Sequence, residues 1–302
     1  MLKKCQVVEG KIVVQDEGPI WVVANPDEAE RRMLVDAFKI DEHTLSSALD
    51  PDELSRLELE PEHVALIFKR PKNYSHEDDY LFKVVSSGLF LFKDRLVVVM
   101  GEDAPLFDGK GPFKASSPAD ALLRILYRTI YHFLEHLKVI SMITDSLEHK
   151  ISESIENKHL LNLFKLEKSL VYYLNSINSN AIAIDKLKNN AVKIGFTQEQ
   201  IEFLDDIAIE NQQCYKQAEI YSNILASLMD ARVSIVNNNV SLLMKTLNII
   251  TLSIMVPTFV VSAFSMNVHS PIQEHPHAFW LIMGLALLAV LGFMGLWRYK
   301  RW

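Results

Sequence analysis

Between Gln198 and Val256 the chain has neither glycine nor proline, a run of 59 residues in a protein of 302. With no punctuating residue to turn it, the run predicts one helix, about 90 Å long at 1.5 Å per residue. Cysteine is nearly absent too. Cys5 and Cys214 are the only two, too few and too far apart for a disulfide framework or a zinc site, so two free thiols are expected. Basic excess is missing: the net charge is −7 and no basic stripe interleaves with aromatics, which excludes a nucleic-acid surface. Catalytic signatures are missing as well. "GEDAPLFDGKG" lacks the lysine-serine ending of a phosphate loop, and there is no nucleophile elbow and no His-Glu-x-x-His sequence. No enzyme and no organic cofactor is expected.

Charge itself disappears from Leu247 to Phe264 and again from Phe279 to Trp297, runs of 18 and 19 residues. A hydrocarbon core of ~30 Å needs roughly 20, so each run predicts a membrane-spanning helix. Lys245 precedes the first run and Arg298, Lys300 and Arg301 follow the second, while the connecting loop has neither lysine nor arginine. The positive-inside rule then places both termini in the cytoplasm. The start, "MLKKCQVVEGK", has no apolar core of a signal peptide, so the large N-terminal part is expected to stay cytoplasmic. Trp280 and Trp297 read as interfacial anchors of the second span.

The first hundred residues alternate short β-type runs ("CQVVEGKIVV", "PIWVVAN", "HVALIFKR", "LFKVVSSGLFLF", "RLVVVM") with helical ones. "PDEAERRMLVDAF" is expected to open a helix at Pro26 with Asp27 and Glu28 in its first turn. This is an α/β pattern. From Ser117 the chain turns to long helices: Ser117 caps, Pro118 stands first, and Leu122, Leu126, Phe133, Leu137, Ile140, Leu147 and Ile151 keep helical spacing. A second helix is expected from His159 to about Asn190. Gly195 then stops the chain, and Thr197 with Gln200 forms a capping box. The expected organisation is an α/β cytoplasmic domain over 1–115, a helical or coiled-coil stalk over 116–240, and a transmembrane hairpin over 241–302.

Stepping four, three, four, three from Asp230 meets Ser234, Asn237, Ser241, Met244, Asn248, Thr251, Met255, Thr258, Ser262 and Ser265, all polar or methionine. The mean step of 3.5 residues is the period of helices supercoiled about a common axis. In lipid, polar groups turn to a bundle interior or a watery cavity, so the stripe implies several copies around a lined axis. The alternative is a dry interface in which the hydroxyls bond back to their own backbone. Met244 and Met255, with Leu247 one place off the line, are candidate apolar constrictions.

A two-span C-terminal hairpin, a long Pro- and Gly-free helix leading into it, Pro257 within the first span, Met266-Asn267 at its outer end and the ending "WRYKRW" resemble the CorA-type magnesium transporter family. "NNVSLLMKTLNIITLSIMVPTFVVSAFSMN" resembles that family's first span. The resemblance implies a funnel-shaped homopentamer carrying Mg²⁺, with Co²⁺ and Ni²⁺ as further cargo, driven inward by the membrane potential. It further implies that Asn267 forms a ring of carboxamides at the outer mouth, where a hydrated Mg²⁺ is held without losing its tightly bound waters. The family's Gly-Met-Asn is Ser265-Met266-Asn267 here; serine resists backbone angles that glycine permits, or it extends the polar stripe by one hydroxyl. By the same resemblance, Asp206 matches a regulatory acid that shares Mg²⁺ across a subunit interface, with Asp103 or Asp108 as its partner. Asp230 matches a pore-lining acid.

His269, His275 and His277, with Glu274, form the outer loop, and imidazole suits zinc better than magnesium. A Zn²⁺ transporter of the same fold is therefore the second expectation. A membrane-anchored scaffold that conducts nothing is the third.

Overall fold

The computed structural model describes residues 2–8, 11–15, 17–75, 78–104, 106–107, 116–153, 157–266 and 275–300. The chain divides into two compact units, Met1–Met229 and Asp230–Trp302.

In the first unit seven strands build one sheet: β1 (Leu2–Val8), β2 (Lys11–Gln15), β3 (Ile20–Ala24), β4 (Arg56–Leu59), β5 (His63–Pro71), β6 (Val84–Phe92) and β7 (Leu96–Met100). Their spatial order is β2-β1-β3-β7-β6-β5-β4. Every pairing is antiparallel except β3 with β7, where Val22 lies opposite Val98. Side chains alternate across a strand, so a run of valines feeds both faces of a sheet. Ile20, Val22, Leu66, Phe68, Leu89, Val98 and Met100 join one core. Val23, Ala65, Phe90, Val97 and Val99 join the other.

The second face is covered by α1 (Glu28–Asp36) and α2 (Glu42–Leu49), through Leu34, Leu45 and the linking Phe38 and Ile40. Asp27 is the N-cap of α1, in a capping box with Glu30. Pro26 therefore stands before the cap rather than at the helix start, because the Asp27 side chain accepts from the Glu30 N–H at 2.8 Å and fixes the boundary there. Ala48 of α2 packs so closely on β6 that a Cβ at Gly88 would lie 2.6 Å from the Ala48 Cβ.

The first face carries α3 (Pro118–Glu153) and α4 (Asn157–Asn189), and the beginning of α6 (Gln198–Phe264) joins the same core. Leu122, Leu126, Phe133, Leu137, Ile140 and Leu147 are all buried, as their spacing requires; Ile151 lies outside the side chains described. β4 pairs with β5 only as far as Ile67, leaving Lys69 with free backbone groups. Asn180 of α4 supplies the missing partners: its Oδ1 accepts from the Lys69 N–H and its Nδ2 donates to the Lys69 carbonyl, both at 2.9 Å. This polar clamp sets where α4 sits on the sheet.

After the short α5 (Ala191–Ile194) the chain turns at Gly195, whose φ of 90° is the left-handed conformation that glycine adopts without strain. Thr197 and Gln200 then exchange capping bonds of 2.9 and 3.3 Å. α6 runs unbroken for 67 residues with Pro257 inside it, as the missing glycine and proline led one to expect. Cys5 and Cys214 are free and buried, and burial pushes the Cys214 thiol up to about 12, leaving it unreactive.

The second unit holds the later part of α6 and α7 (Ala278–Lys300). Each is long and apolar enough to cross a membrane.

Candidate ion pathway

Within the second unit, α6 has two unlike faces. Ile249, Ser253, Val256, Pro257, Val260 and Phe264 are half-buried. On α7, Ala286 is buried and Ile282, Ala289, Val290 and Phe293 are half-buried. These two apolar rows are the packing surface of the hairpin. On α6, at 100° per residue, the half-buried row lies on the opposite side from Asn248, Thr251, Met255, Thr258, Ser262 and Ser265, all of which are exposed. The polar stripe is thus turned away from the hairpin's own partner helix for most of the span.

Five of the six hydroxyls on the stripe donate back to their own helix, four of them to the carbonyl four residues before and Ser265 to the one three before. Ser234 donates to the Asp230 carbonyl (3.1 Å), Ser241 to Asn237 (2.9 Å), Thr251 to Leu247 (2.9 Å), Thr258 to Ile254 (2.7 Å) and Ser265 to Ser262 (3.0 Å). Each spends its proton on its own backbone, leaving oxygen lone pairs outward. A row of outward acceptors suits a cation whose hydration waters present hydrogens. The carboxamides of Asn237 and Asn248 are exposed on the same side, as are Asp230, Met244 and Leu247.

Near its other end the stripe borders a cleft of about 850 Å³, in which Ser241, Met244, Asn248 and Thr251 face Phe293, Leu296 and Trp297 of α7. At the opposite end Ser265 follows the last helical residue with its N–H bonded to the Val261 carbonyl at 3.1 Å. It is absent from the described residues with positive φ, so serine in place of glycine brings no left-handed strain here. Met266 is exposed. Asn267, His269 and Glu274 lie outside the described residues. The His275 and His277 rings stand with centroids 6.2 Å apart, and the His277 N–H donates to His275 Nδ1 at 3.3 Å.

In the first unit, Asp206 lines a groove of about 470 Å³ with Tyr127, Phe203 and Ile209 and with three further carboxylates, Glu199, Glu202 and Glu210. Their steps of three, four and four put all four acids on one side of α6. The family resemblance points to Asp206 alone; the spacing in "EQIEFLDDIAIE" is the sequence signal for the other three. Burial, then the Glu210 charge, raises the Tyr127 phenol. Asp103 is not part of the groove and pairs with Lys3 at 2.5 Å, while Asp108 lies outside the described residues. Among the described residues no three His, Cys, Asp or Glu side chains converge as a set that would hold a metal ion.

The model of the family described as "CorA-like Mg2+ transporter protein" matches residues 16–298. The chain belongs to that family. CorA-family proteins are membrane transporters of Mg²⁺ and related divalent cations and not enzymes, so the polar face of α6 belongs to a cation transporter. Over 315 aligned positions the chain is 25% identical to the cobalt/magnesium transport protein CorA of Methanocaldococcus jannaschii, covering 99% of this chain and 97% of that one. The complete structure of the CorA magnesium transporter from the same archaeon superposes with a TM-score of 0.82 at 21% identity, over 98% of this chain and 96% of the other. Full-length CmaX matches with a TM-score of 0.73 at 16% identity, over 100% and 98%. The ZntB cytoplasmic domain of Vibrio parahaemolyticus matches with 0.60 at 14% identity, over 78% and 98%. The complete CorA structure shares the expected α/β domain, long helix and apolar helical ending.

Proposed function

We propose that this CorA-family member is a homopentameric channel for Mg²⁺ influx, with α6 of each subunit lining the pore through Asp230, Asn237, Ser241, Met244, Asn248, Thr251, Met255, Thr258 and Ser262. The observation that carries this reading is the opposition of the two faces of α6: the apolar one is used by α7, and the acceptor-lined one, which borders α7 only across the cleft at Ser241 to Thr251, is exposed. Gathering such faces around an axis gives them water. Met244, Leu247 and Met255 form the apolar constrictions, and Ser265, Met266 and Asn267 form the outer filter. Both termini lie in the cytoplasm, with residues 1–115 as the α/β domain, 116–240 as the stalk and 241–302 as the hairpin. No fuel is needed. An inside-negative potential stabilises an entering dication by about 4.6 kcal/mol per 100 mV, twice the single-charge value.

The Asp206 groove is the regulatory site in this reading. Carboxylates are the hard oxygen donors that Mg²⁺ prefers, and four on one helix side repel one another until a cation neutralises them. Cytoplasmic Mg²⁺ shared between this groove and a neighbouring subunit, through Asp103 or Asp108, holds the closed state; its loss releases it. The relative named for cobalt and magnesium transport supports Co²⁺ as a second cargo, and the proposal extends to Ni²⁺. The paired His275 and His277 rings favour a second reading, Zn²⁺ transport, with His269 and Glu274 in the same loop.

The deciding experiment offers Mg²⁺, Co²⁺, Ni²⁺ and Zn²⁺ in turn to liposomes carrying the pure protein at a fixed inside-negative potential. Mg²⁺ entry supports the first reading and Zn²⁺ entry without Mg²⁺ the second; no flux of any ion would return the non-conducting scaffold.

A further inference from the structure

Arg70, in β5, is 4% exposed. A guanidinium carries five N–H donors, yet its bonds here are few and long. Nη2 donates to Glu102 at 3.4 Å and Nη1 to the Pro71 carbonyl at 3.5 Å, both at the outer limit of a hydrogen bond. Nε has no partner among the described residues. A buried charge this poorly satisfied is strongly unfavourable unless something else meets it.

Beside it is a cavity of about 100 Å³, walled by Arg70, Asn73, Arg128, Thr129, His132 and Glu135. Arg128 reaches Glu135 at 3.3 Å, and Lys72 approaches Glu102 at 3.9 Å. Arg70, Lys72 and Arg128 thus outnumber Glu102 and Glu135, leaving a net positive charge around the cavity. His132 is held neutral near pH 7, since burial and then the Arg128 charge lower its pKa to about 4; a neutral imidazole still has one N–H to give. The volume is that of roughly three waters, too small for a nucleotide.

We propose that this cavity binds one small tetrahedral oxyanion, of the inorganic phosphate or sulfate class, between the guanidinium groups of Arg70 and Arg128. Such an ion meets the unused Arg70 donors in the charge-assisted geometry that arginine favours. It also ties the segment after β7, which contributes Ala104 and Leu106 to the cavity wall, to α3. The site shares no residue with the pore stripe or with the Asp206 groove.

The test is thermal unfolding of the full-length protein in detergent, free of Mg²⁺, in phosphate, sulfate or chloride at matched ionic strength. The site predicts a saturable rise in Tm with phosphate or sulfate over chloride, lost in Arg128→Gln. Arg128 is partly exposed and its replacement leaves the core intact; Arg70→Met is the second variant. Equal Tm in the three salts would overturn the proposal. So would a rise that never saturates and persists in Arg128→Gln, the mark of general salt exclusion from the protein surface.

Discussion

The side-chain amide of Gln200 donates to Oδ1 of Asp120 at 2.5 Å, joining the first turn of α6 to the first turn of α3. Both residues also serve their own helix ends: Gln200 closes the cap with Thr197, and Asp120 accepts from the backbone of Ser116 and Ser117 at 2.8 and 2.9 Å. Asp120 is 3% exposed, so removing the amide strands a buried carboxylate oxygen. Gln200→Leu is expected to destabilise the protein by about 1–3 kcal/mol, whereas Gln198→Ala, at an exposed position, stays within about 0.5 kcal/mol. Urea unfolding checks both. Burial alone would raise the Asp120 pKa, but bonds from Ser116, Gln200 and Ser117 outweigh it and lower it. Its contribution is therefore present above the unfolded value of about 3.9 and lost as pH falls below it, and the cost of Gln200→Leu narrows over the same range.

A second pH dependence comes from α3. His136 Nδ1 lies 2.6 Å from the Tyr173 hydroxyl, and burial, followed by the His132 charge, pushes the His136 pKa down to about 3. A histidine whose folded pKa lies below its unfolded value of about 6.5 binds its proton only on unfolding. Its stabilisation is complete above pH 6.5 and drains as pH falls toward the folded pKa, at up to about 1.4 kcal/mol per pH unit. His132, facing Arg70, Arg128 and Glu135, adds in the same direction. Denaturation at pH 7.5, 6.0 and 5.0 is expected to show this fall, and His136→Asn to flatten it; a level wild-type profile would refute the assignment.

Gly88 has no room for a methyl group. Gly88→Ala brings a Cβ to 2.6 Å from that of Ala48 and 2.7 Å from the Phe90 ring, an overpacking cost of about 1–3 kcal/mol. Combining it with Ala48→Gly should recover part of the lost Tm, a coupling that two unrelated defects would not show.

If the acidic groove of α6 is the Mg²⁺ brake, neutralising it weakens feedback without touching the pore. Asp206→Asn with Glu202→Gln is expected to raise the internal Mg²⁺ needed for half-inhibition of uptake by about tenfold, within the usual range of allosteric coupling. Uptake into vesicles preloaded with graded Mg²⁺ reads this directly. Unchanged inhibition would remove the groove from the mechanism.

What could be read from the sequence depended on whether a feature lies on one element or several. Five β-type runs cover six of the seven strands: β3, β5, β6 and β7 are buried on both faces and so read as continuous apolar runs, while the β-branched residues of β2 remain visible although Val13 and Val14 are exposed. β4, "RLEL", escaped because a short edge strand alternates charge with leucine. α2 escaped because eight residues are too few to show a period. Pro26 misled by two positions, the helix beginning at Glu28 because the Asp27 cap prevails over proline's preference for the first helical place. The stripe of α6 and its hydroxyl spacing were legible since a single helix carries them. The cavity at Arg70 was not: its walls come from β5, the segment after β7 and α3, far apart in the chain.

The most direct test of the pore assignment compares two substitutions on opposite faces of the same helix. Asn248 stands on the exposed polar stripe and Ser253 on the half-buried face toward α7. Mg²⁺ entry into liposomes is measured at a fixed inside-negative potential for the unaltered protein, Asn248→Leu and Ser253→Ala. The account predicts that Asn248→Leu lowers the rate at least about tenfold, the effect of roughly 1.4 kcal/mol on the barrier, while Ser253→Ala leaves it within twofold. Equal rates for all three, or a loss confined to Ser253→Ala, would contradict it.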